Sequence, residues 1–523
     1  MRKLWICFVL VLALGACASA VRDNHKTHVD AMRVSHDTAM GQRIAPALAA
    51  HPGQTGMRLV SSNLDAFALR VVAARRAQVS LDLQYYIWHD DLTGKLLAGE
   101  LVRAADRGVR VRLLVDDLDA RSKEAAMQTM EAHENIEVRL FNPFKSASGA
   151  ARTLVEFLVR GSALNHRMHN KSFIADGQFA LVGGRNVGDE YFDASGETNF
   201  SDLDLAMIGP AVAATAVAFD QYWNHPAAVR LEVLKRGKPI PGGLDALRGA
   251  IDAHDLEARQ SPYVRRLRDS AELASIVDGS NEKIWSSEVQ VLSDPPYKAD
   301  KQAKDDPDTV LAGLVARFSA ARSSLRILSP YFVPGKKGAE GLVAIAARGV
   351  NVEVITNSLA ATDVAAVHGG YSRYRKRLLK GGVALYELKP HADTSDGAGG
   401  ILGSQGGGGV ANGVSLHTKA AIIDDEYVFV GSFNLDPRSA WLNCEMGIMV
   451  RSAELARELN VIADRYADPG NSFKLSLNEN GRLRWTHQDA GQLQTVSVSE
   501  PLAGAKRKIV AWIARILPLQ QQL

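Results

Sequence analysis

The sequence predicts an α/β protein built from two duplicated domains, and three observations carry that prediction. Helical segments alternate with apolar, strand-like segments along most of the 523 residues. The same order of segments occurs twice. Each copy ends in a run of polar residues whose spacing is identical in the two. Helices alternating with apolar strands imply layered sheets flanked by helices. Two long copies, each large enough to own a core, imply a duplicated domain and not a solenoid. Apolar residues make up 46% and charged residues 23% of the chain, an ordinary globular mix. The net charge of +3 supplies no strong basic field, which argues against a dedicated nucleic-acid partner.

Residues 1–20 read as a secretory signal. Arg2 and Lys3 precede an apolar run from Leu4 to Leu14, and small residues follow. The boundary "LGAC", Leu14 to Cys17, resembles a bacterial lipobox, so lipidation at Cys17 is expected; cleavage after "ASA", Ala18 to Ala20, is the rival reading. Acylation places the protein in the bacterial cell envelope, exported and membrane-anchored as a lipoprotein facing the periplasm. Cys7 leaves with the signal, Cys17 carries lipid, and Cys444 then has no partner for an internal disulfide.

Residues 21–60 are expected to form an N-terminal extension. The first domain, 61–225, opens at Asn63 with a helix whose apolar face holds Leu64, Phe67, Leu69, Val71 and Val72. "VSLDLQYYIW" then switches to strand-like content. "GKLLAGELVRAADRGVRVRLLVDD" gives a helix, a stop at Gly108 and a strand, and "NIEVRLFNPF" gives another strand. From Val310 the order recurs, and "AIAARGVNVEVITNS" matches "RAADRGVRVRLLVDD" almost position for position. The second domain is expected over 301–468. Between the copies, 226–300 is more polar and reads as a surface connector. Within the second copy, 393–413 is a Gly/Ser-rich flexible loop. The segment 469–523 reads as a β-hairpin turning at Asn480-Gly481 and an amphipathic helix. Ile509, Trp512, Ile513, Ile516 and Leu517 share one face of that helix. Docking on the body is expected, with a membrane-interface helix as the alternative.

The repeated polar run carries the chemistry. His169, Lys171 and Asp176 recur at the same spacing as His417, Lys419 and Asp424. Six residues after each Asp, Gly183–Asn186 reads "GGRN" and Gly431–Asn434 reads "GSFN". His and Lys two apart lie on one face of a strand. The small Gly and Ser residues are read as letting the backbone approach a ligand, and each Asn adds an amide donor.

This pattern, HxKx4Dx6G[GS]xN in two copies, resembles the signature of the phospholipase D superfamily, and the resemblance covers most of the chain. Stretches such as "MHNKSFIADGQFALVGGRNVGDEYF" are similar to the bacterial cardiolipin synthases of the C type. The resemblance implies two phospholipase D-like α/β sandwich domains packed as a pseudo-dimer, one active site at their interface, and neither metal nor other cofactor. It implies a phosphatidyltransferase acting on phospholipids at a membrane, with phosphatidylglycerol as the first candidate substrate and phosphatidylethanolamine as the second; a phospholipase D-type hydrolase is the alternative. An endonuclease and a catalytically dead lipid-binding scaffold are the weaker readings.

The residue types suit that chemistry. Lys171, Lys419, Asn186 and Asn434 supply charge and donors to phosphoryl oxygens. A neutral imidazole attacks phosphorus, and a protonated one hands a proton to the leaving alcohol. The resemblance makes His169 the nucleophile and His417 the general acid and base. It also implies an acid on a following strand to fix each ring. Glu445 is expected for the second copy and Asp202 for the first, with Asp204 close behind. Asp176 and Asp424 complete the catalytic motifs, and their strand-end positions make them structural braces.

Overall fold

The computed structural model describes residues 22–32, 37–120, 123–144, 165–234, 236–269, 283–300, 307–390, 413–489, 491–496 and 499–516. The expected signal segment, Cys17 and all but the last residue of the loop 393–413 lie outside the described residues. No helix among the described residues is long and apolar enough to cross a membrane.

Each copy builds the centre of one mixed sheet, nine-stranded in the first half and ten-stranded in the second. In the first, Ser80–Tyr85, Arg110–Asp116 and Ile136–Phe141 run parallel. Ser172–Ala175, Phe179–Gly183 and Asp204–Ile208 continue the sheet antiparallel. The second half repeats this with Ser324–Leu328, Asn351–Asn357 and Ala384–Leu388 parallel, then Ala420–Ile423, Tyr427–Gly431 and Met446–Arg451 antiparallel. The parallel strands of the first half alternate apolar residues such as Leu81, Leu83, Val111, Leu113, Ile136 and Val138 with polar ones, and the intervening Asp82, Arg112 and Arg139 are also buried because both faces are covered.

The helices match the sequence reading. Ser62 caps Asn63–Arg76 by accepting from the Asp65 amide, and Phe67, Leu69 and Val71 are buried. The helices Leu92–Asp106 and Gly335–Ala346 end before Gly108 and Gly349, whose φ of 90° and 88° only glycine adopts at no steric cost. One hydrophobic cluster spans both halves. It joins Ile174, Val182 and Leu205 of the first sheet to Ile422, Val430 and Ile448 of the second. The halves therefore share a core instead of touching across a wet interface.

The elements outside the two copies are tied in more closely than expected. Thr55–Val60, placed by the sequence in the extension 21–60, pairs with Asp204–Ile208 inside the first sheet. The stretch 226–300 is no mere surface connector. Ala228–Arg230 closes one edge of the first sheet and Ile284–Ser286 the other, and Val289–Ser293 then pairs at the edge of the second. The helix Gly243–Ala258 packs on Leu92–Asp106, where Arg103 Nη2 donates to Asp255 Oδ2 at 2.5 Å. The predicted hairpin forms from Ser472–Leu477 and Leu483–Asp489, with Gly481 at φ 66°. With Gln492–Val496 it adds three strands to the second sheet. Short strands outside the two repeated copies carry a weak period-2 signal, so sequence alone read these pieces as periphery.

Candidate functional site

The sequence reading expected the His and Lys of each motif on one strand, and they do not share one. His169–Lys171 bridge the strands Arg167–Met168 and Ser172–Ala175, and His417–Lys419 bridge Gly413–Leu416 and Ala420–Ile423, while each Asp sits in a tight hairpin turn. Asp176 and Gly177 have φ of 51° and 62°, and Asp424 and Asp425 have 57° and 54°. The Gln178 amide donates to Ala175 O and the Glu426 amide to Ile423 O, so both are type I′ turns, which Asp tolerates at their first central position. From there the Asp176 carboxylate accepts from the amides of Gln78, Val79 and Ser80. The Asp424 carboxylate accepts from those of Arg322, Ser323 and Ser324. These acids cap the end of the strand away from the histidine and brace the loop entering the neighbouring parallel strand.

The histidines are held across the interface, and the pairing is the reverse of the one expected. His169 Nδ1 lies 2.8 Å from Glu445 Oε2, and His417 Nδ1 lies 2.6 Å from Asp202 Oδ2. Each ring is oriented by the acid of the other half. The cause is in the backbone. The His169 amide donates to Cys444 O and the His417 amide to Ser201 O, the carbonyl preceding the partner acid in each case. Short parallel pairings, Arg167–Met168 with Asn443–Cys444 and Thr198–Ser201 with Gly413–Leu416, lock this exchange. Asp204, the alternative candidate, accepts from Arg70 Nη2 at 2.9 Å in the core and orients no histidine.

A carboxylate only accepts, so each Nδ1 carries the proton and each Nε2 keeps its lone pair. Lys419 Nζ also lies 2.8 Å from His417 Nδ1. Nδ1–H still donates to Asp202, because the lysine has His417 O to donate to. Burial pushes the His169 pKa down to about 4, with Glu445 pulling the other way. Burial and the charge of Lys419 lower that of His417.

The two lysines are buried at 1% exposure each. Lys171 Nζ donates to His169 O at 2.7 Å, and Lys419 Nζ to the matching carbonyl of His417. Burial lowers their pKa values to about 7 and about 8. Each lysine feels the other half's groups: Lys419 opposes the charge on Lys171, and Asp202 and Glu445 favour it on both. The six side chains thus form one electrostatic unit, able to hold an anion between two ammonium groups beside two imidazoles.

The small residues have a different reason from the one the sequence suggested. A Cβ on Gly184 would lie 2.2 Å from Asp202 Oδ1, and one on Gly183 2.2 Å from Asp204 Oδ1. Gly184 makes room for the orienting acid Asp202, and Gly183 for Asp204 and the backbone of its strand. In the second copy Ser432 replaces Gly184, and its Oγ donates to Glu445 Oε2 at 2.5 Å. The asparagines are buried too. Asn186 accepts from the Ile87 amide and donates to Tyr191 OH, whereas the Asn434 side-chain oxygen has no hydrogen-bond partner among the described residues.

The family model described as cardiolipin synthase, phospholipase D-like domain matches this chain twice, over residues 72–223 and 314–466. The chain belongs to the cardiolipin synthase, phospholipase D-like family. Cardiolipin synthase C of Escherichia coli (strain K12) is 39% identical over 92% of this chain and 99% of its own length. Cardiolipin synthase 2 of Staphylococcus epidermidis is 27% identical over 74% of this chain and 62% of its own. Among solved structures, a phosphatidylserine synthase from Haemophilus influenzae Rd KW20 shares the fold with a TM-score of 0.57 at 15% identity. It covers 89% of this chain and 95% of its own.

The phospholipase D-like halves also bring aromatic rings to the site that sequence reading missed. Tyr86 meets the His169 ring edge-on at 4.9 Å, with Lys171 Nζ 5.5 Å from its centroid. Phe200 stacks on His417 at 4.9 Å and Tyr191 meets it edge-on at 5.2 Å. Their only sequence signal is adjacency to strand ends that the motif does not mark. Two groupings of ligand-type side chains also occur among the described residues, His89–Asp91–Glu190 and His368–Glu387–Glu500. The sequence reading found neither. Neither contains a motif residue, and Arg375 already donates to Glu387 and Glu500 in the second.

The brace geometry gives a test. Asp176→Ala removes the acceptor of three backbone amides at a 2% exposed position, and the protein should lose about 2–3 kcal/mol of stability. Turnover per folded molecule should stay within about threefold of the parent. Thermal unfolding together with active-site-normalised kinetics measures both. A large kinetic loss at unchanged stability would place Asp176 in the chemistry.

Proposed function

We propose that the protein is a phosphatidyltransferase that forms cardiolipin from phospholipids through a phosphohistidine on His169. The observation that carries this reading is the buried pair Lys171 and Lys419, neither in a salt bridge among the described residues, beside two histidines oriented across the interface. Two buried ammonium groups without a contacting carboxylate favour an anionic ligand, and a phosphodiester satisfies them.

In the proposed cycle the neutral His169 Nε2 attacks phosphorus and the P–O bond to the leaving alcohol breaks. The lysines hold the phosphoryl oxygens as charge gathers there. Arrival of the anion favours the protonated form of His417, which gives its proton to the leaving alcohol. His417 then takes a proton from the incoming alcohol, which attacks phosphorus and frees His169. Phosphatidylglycerol is the proposed donor, with phosphatidylglycerol or phosphatidylethanolamine as the second lipid. The proposed setting is the envelope membrane. Purified protein is incubated with labelled phosphatidylglycerol, with and without phosphatidylethanolamine, and the lipids are separated. Labelled cardiolipin supports the reading. Phosphatidic acid alone would make the protein a hydrolase, and unchanged lipid would overturn both.

The charge states set the pH profile. Lys171 and Lys419 are protonated below, and neutral above, their pKa values of about 7 and about 8. In the free enzyme kcat/KM should therefore fall as pH rises through that range, steepening a fall that begins at lower pH, where His417, its pKa pushed down by burial, loses the proton that the first step needs. Under saturating lipid the bound anion holds the lysines protonated, so the fall in kcat should begin at higher pH. His169 stays neutral down to about 4, so its protonation should not limit kcat/KM until the pH approaches that value. Steady-state kinetics over that span decides it; a kcat/KM flat to pH 9 contradicts the lysine roles.

A further inference from the structure

The helix Ala505–Ile516 is docked on the body with its apolar face turned outward. At 100° per residue, Ile509, Trp512, Ile513 and Ile516 lie on one side, with Val510 beside them. They are exposed by 57%, 62%, 43%, 59% and 45%. The opposite side carries Ala511 and Ala514, both buried. These small residues let the helix lie close against Ala365–Ser372, where a Cβ on Gly369 would sit 2.3 Å from Ala511 O. Arg507 pins the helix by donating to Leu359 O and Thr362 O, and Arg373 donates to Ala514 O. A helix docked for core burial turns its large residues inward; this one does the reverse. The sequence reading foresaw the docking but not this orientation.

The anchoring loop leads to the site. Next to Thr362, Asp363 accepts from Tyr331 OH at 2.5 Å, and its charge favours the protonated forms of His417 and Lys419. Lys506 and Arg515 are exposed and Lys508 half-buried along the sides of the apolar face. Lys508, Trp512 and Arg515 line a cavity of about 330 Å³ between the helix and the body. Cations flanking an apolar stripe with a tryptophan match an anionic lipid surface.

We propose that the helix Ala505–Ile516 seats the protein on an anionic phospholipid bilayer, its outward face entering the boundary between headgroups and acyl chains beside the catalytic pair. This deepens the reading of the site as one that acts on phospholipids, and its binding test needs no turnover. In the full chain, an environment-sensitive fluorophore is placed at Ile513→Cys and, as a control, at the exposed Leu256→Cys of the first half. Cys444 is buried and does not compete for the label, and Cys7→Ser and Cys17→Ser in both labelled proteins leave the introduced thiol as the one that reacts. With phosphatidylglycerol vesicles carrying nitroxide lipid, the label at 513 should shift to the blue and lose about half its emission or more. With phosphatidylcholine vesicles it should respond less, and the label at 256 should not respond. Equal responses at the two positions, or none at 513, overturn the proposal. Self-quenching at 513 without vesicles would reassign the face to a second copy of this chain.

The triple variant Ile509→Ser, Trp512→Ser, Ile513→Ser changes only exposed side chains. Its turnover of bilayer lipid should fall about tenfold, while turnover of monomeric short-chain phosphatidylglycerol stays within about twofold. Equal loss on both substrates overturns the docking role. Absence of turnover in the parent, with quenching at 513 intact, fails the functional reading and leaves the docking standing.

Discussion

Replacing either histidine with alanine should lower phosphatidyl transfer by roughly 10⁴-fold or more, and the double variant should be no worse than the weaker single. Both imidazoles act in one reaction, so losing one leaves the other nothing to complete. The singles should differ in kind. His169→Ala should form no covalent lipid–enzyme species. His417→Ala should form it slowly from a lipid whose leaving group needs no proton, then fail to pass it on, because no base activates the acceptor. Acid-labile phosphohistidine, mapped by peptide mass spectrometry after a rapid quench, reads this directly. A label on His417 would exchange the two roles, and full activity in either single would end the two-histidine mechanism.

The crossed acids give the second large effect. Glu445→Ala and Asp202→Ala should each lower turnover by roughly 10²- to 10⁴-fold, since each removes the group that fixes a ring's tautomer. The structure dictates which step each one harms. Glu445 holds His169, so Glu445→Ala should slow formation of the covalent species even with an activated leaving group. Asp202 holds His417, so Asp202→Ala should be largely rescued by such a leaving group in that first step. Pairing within each half predicts the opposite rescue pattern, so one comparison of the two variants separates the arrangements.

Much of this was legible in the sequence, for physical reasons. The parallel strands announce themselves by Val, Leu and Ile recurring at every second position, and Gly108 and Gly349 mark the helix ends. Repetition raised the motif residues above chance. Asp202 and Glu445 were legible as acids flanked by strand-forming residues, but not their partners, because strand order within a half says nothing about which half a strand end faces. The glycines misled for a related reason. Gly184 is small to clear a carboxylate eighteen positions on in the chain, and no local pattern encodes that approach. Thr55–Val60 and Ile284–Ser286 were missed because they lie outside the two repeated copies, and short strands owe their conformation to the partners they pair with.

The exchange of histidines and acids between the halves bears on symmetry. A chain holding one half alone would have a histidine with no acid to fix it, and only a two-fold association with an identical copy would restore the pairing. In such an assembly both histidines would be equivalent by symmetry and would share one proton affinity. Covalent fusion lifts that constraint. Here glutamate and Ser432 stand on one side, where aspartate and Gly184 stand on the other. The two imidazoles no longer sit in identical surroundings, so nucleophile and proton carrier are free to diverge by separate substitutions on each side of the former axis.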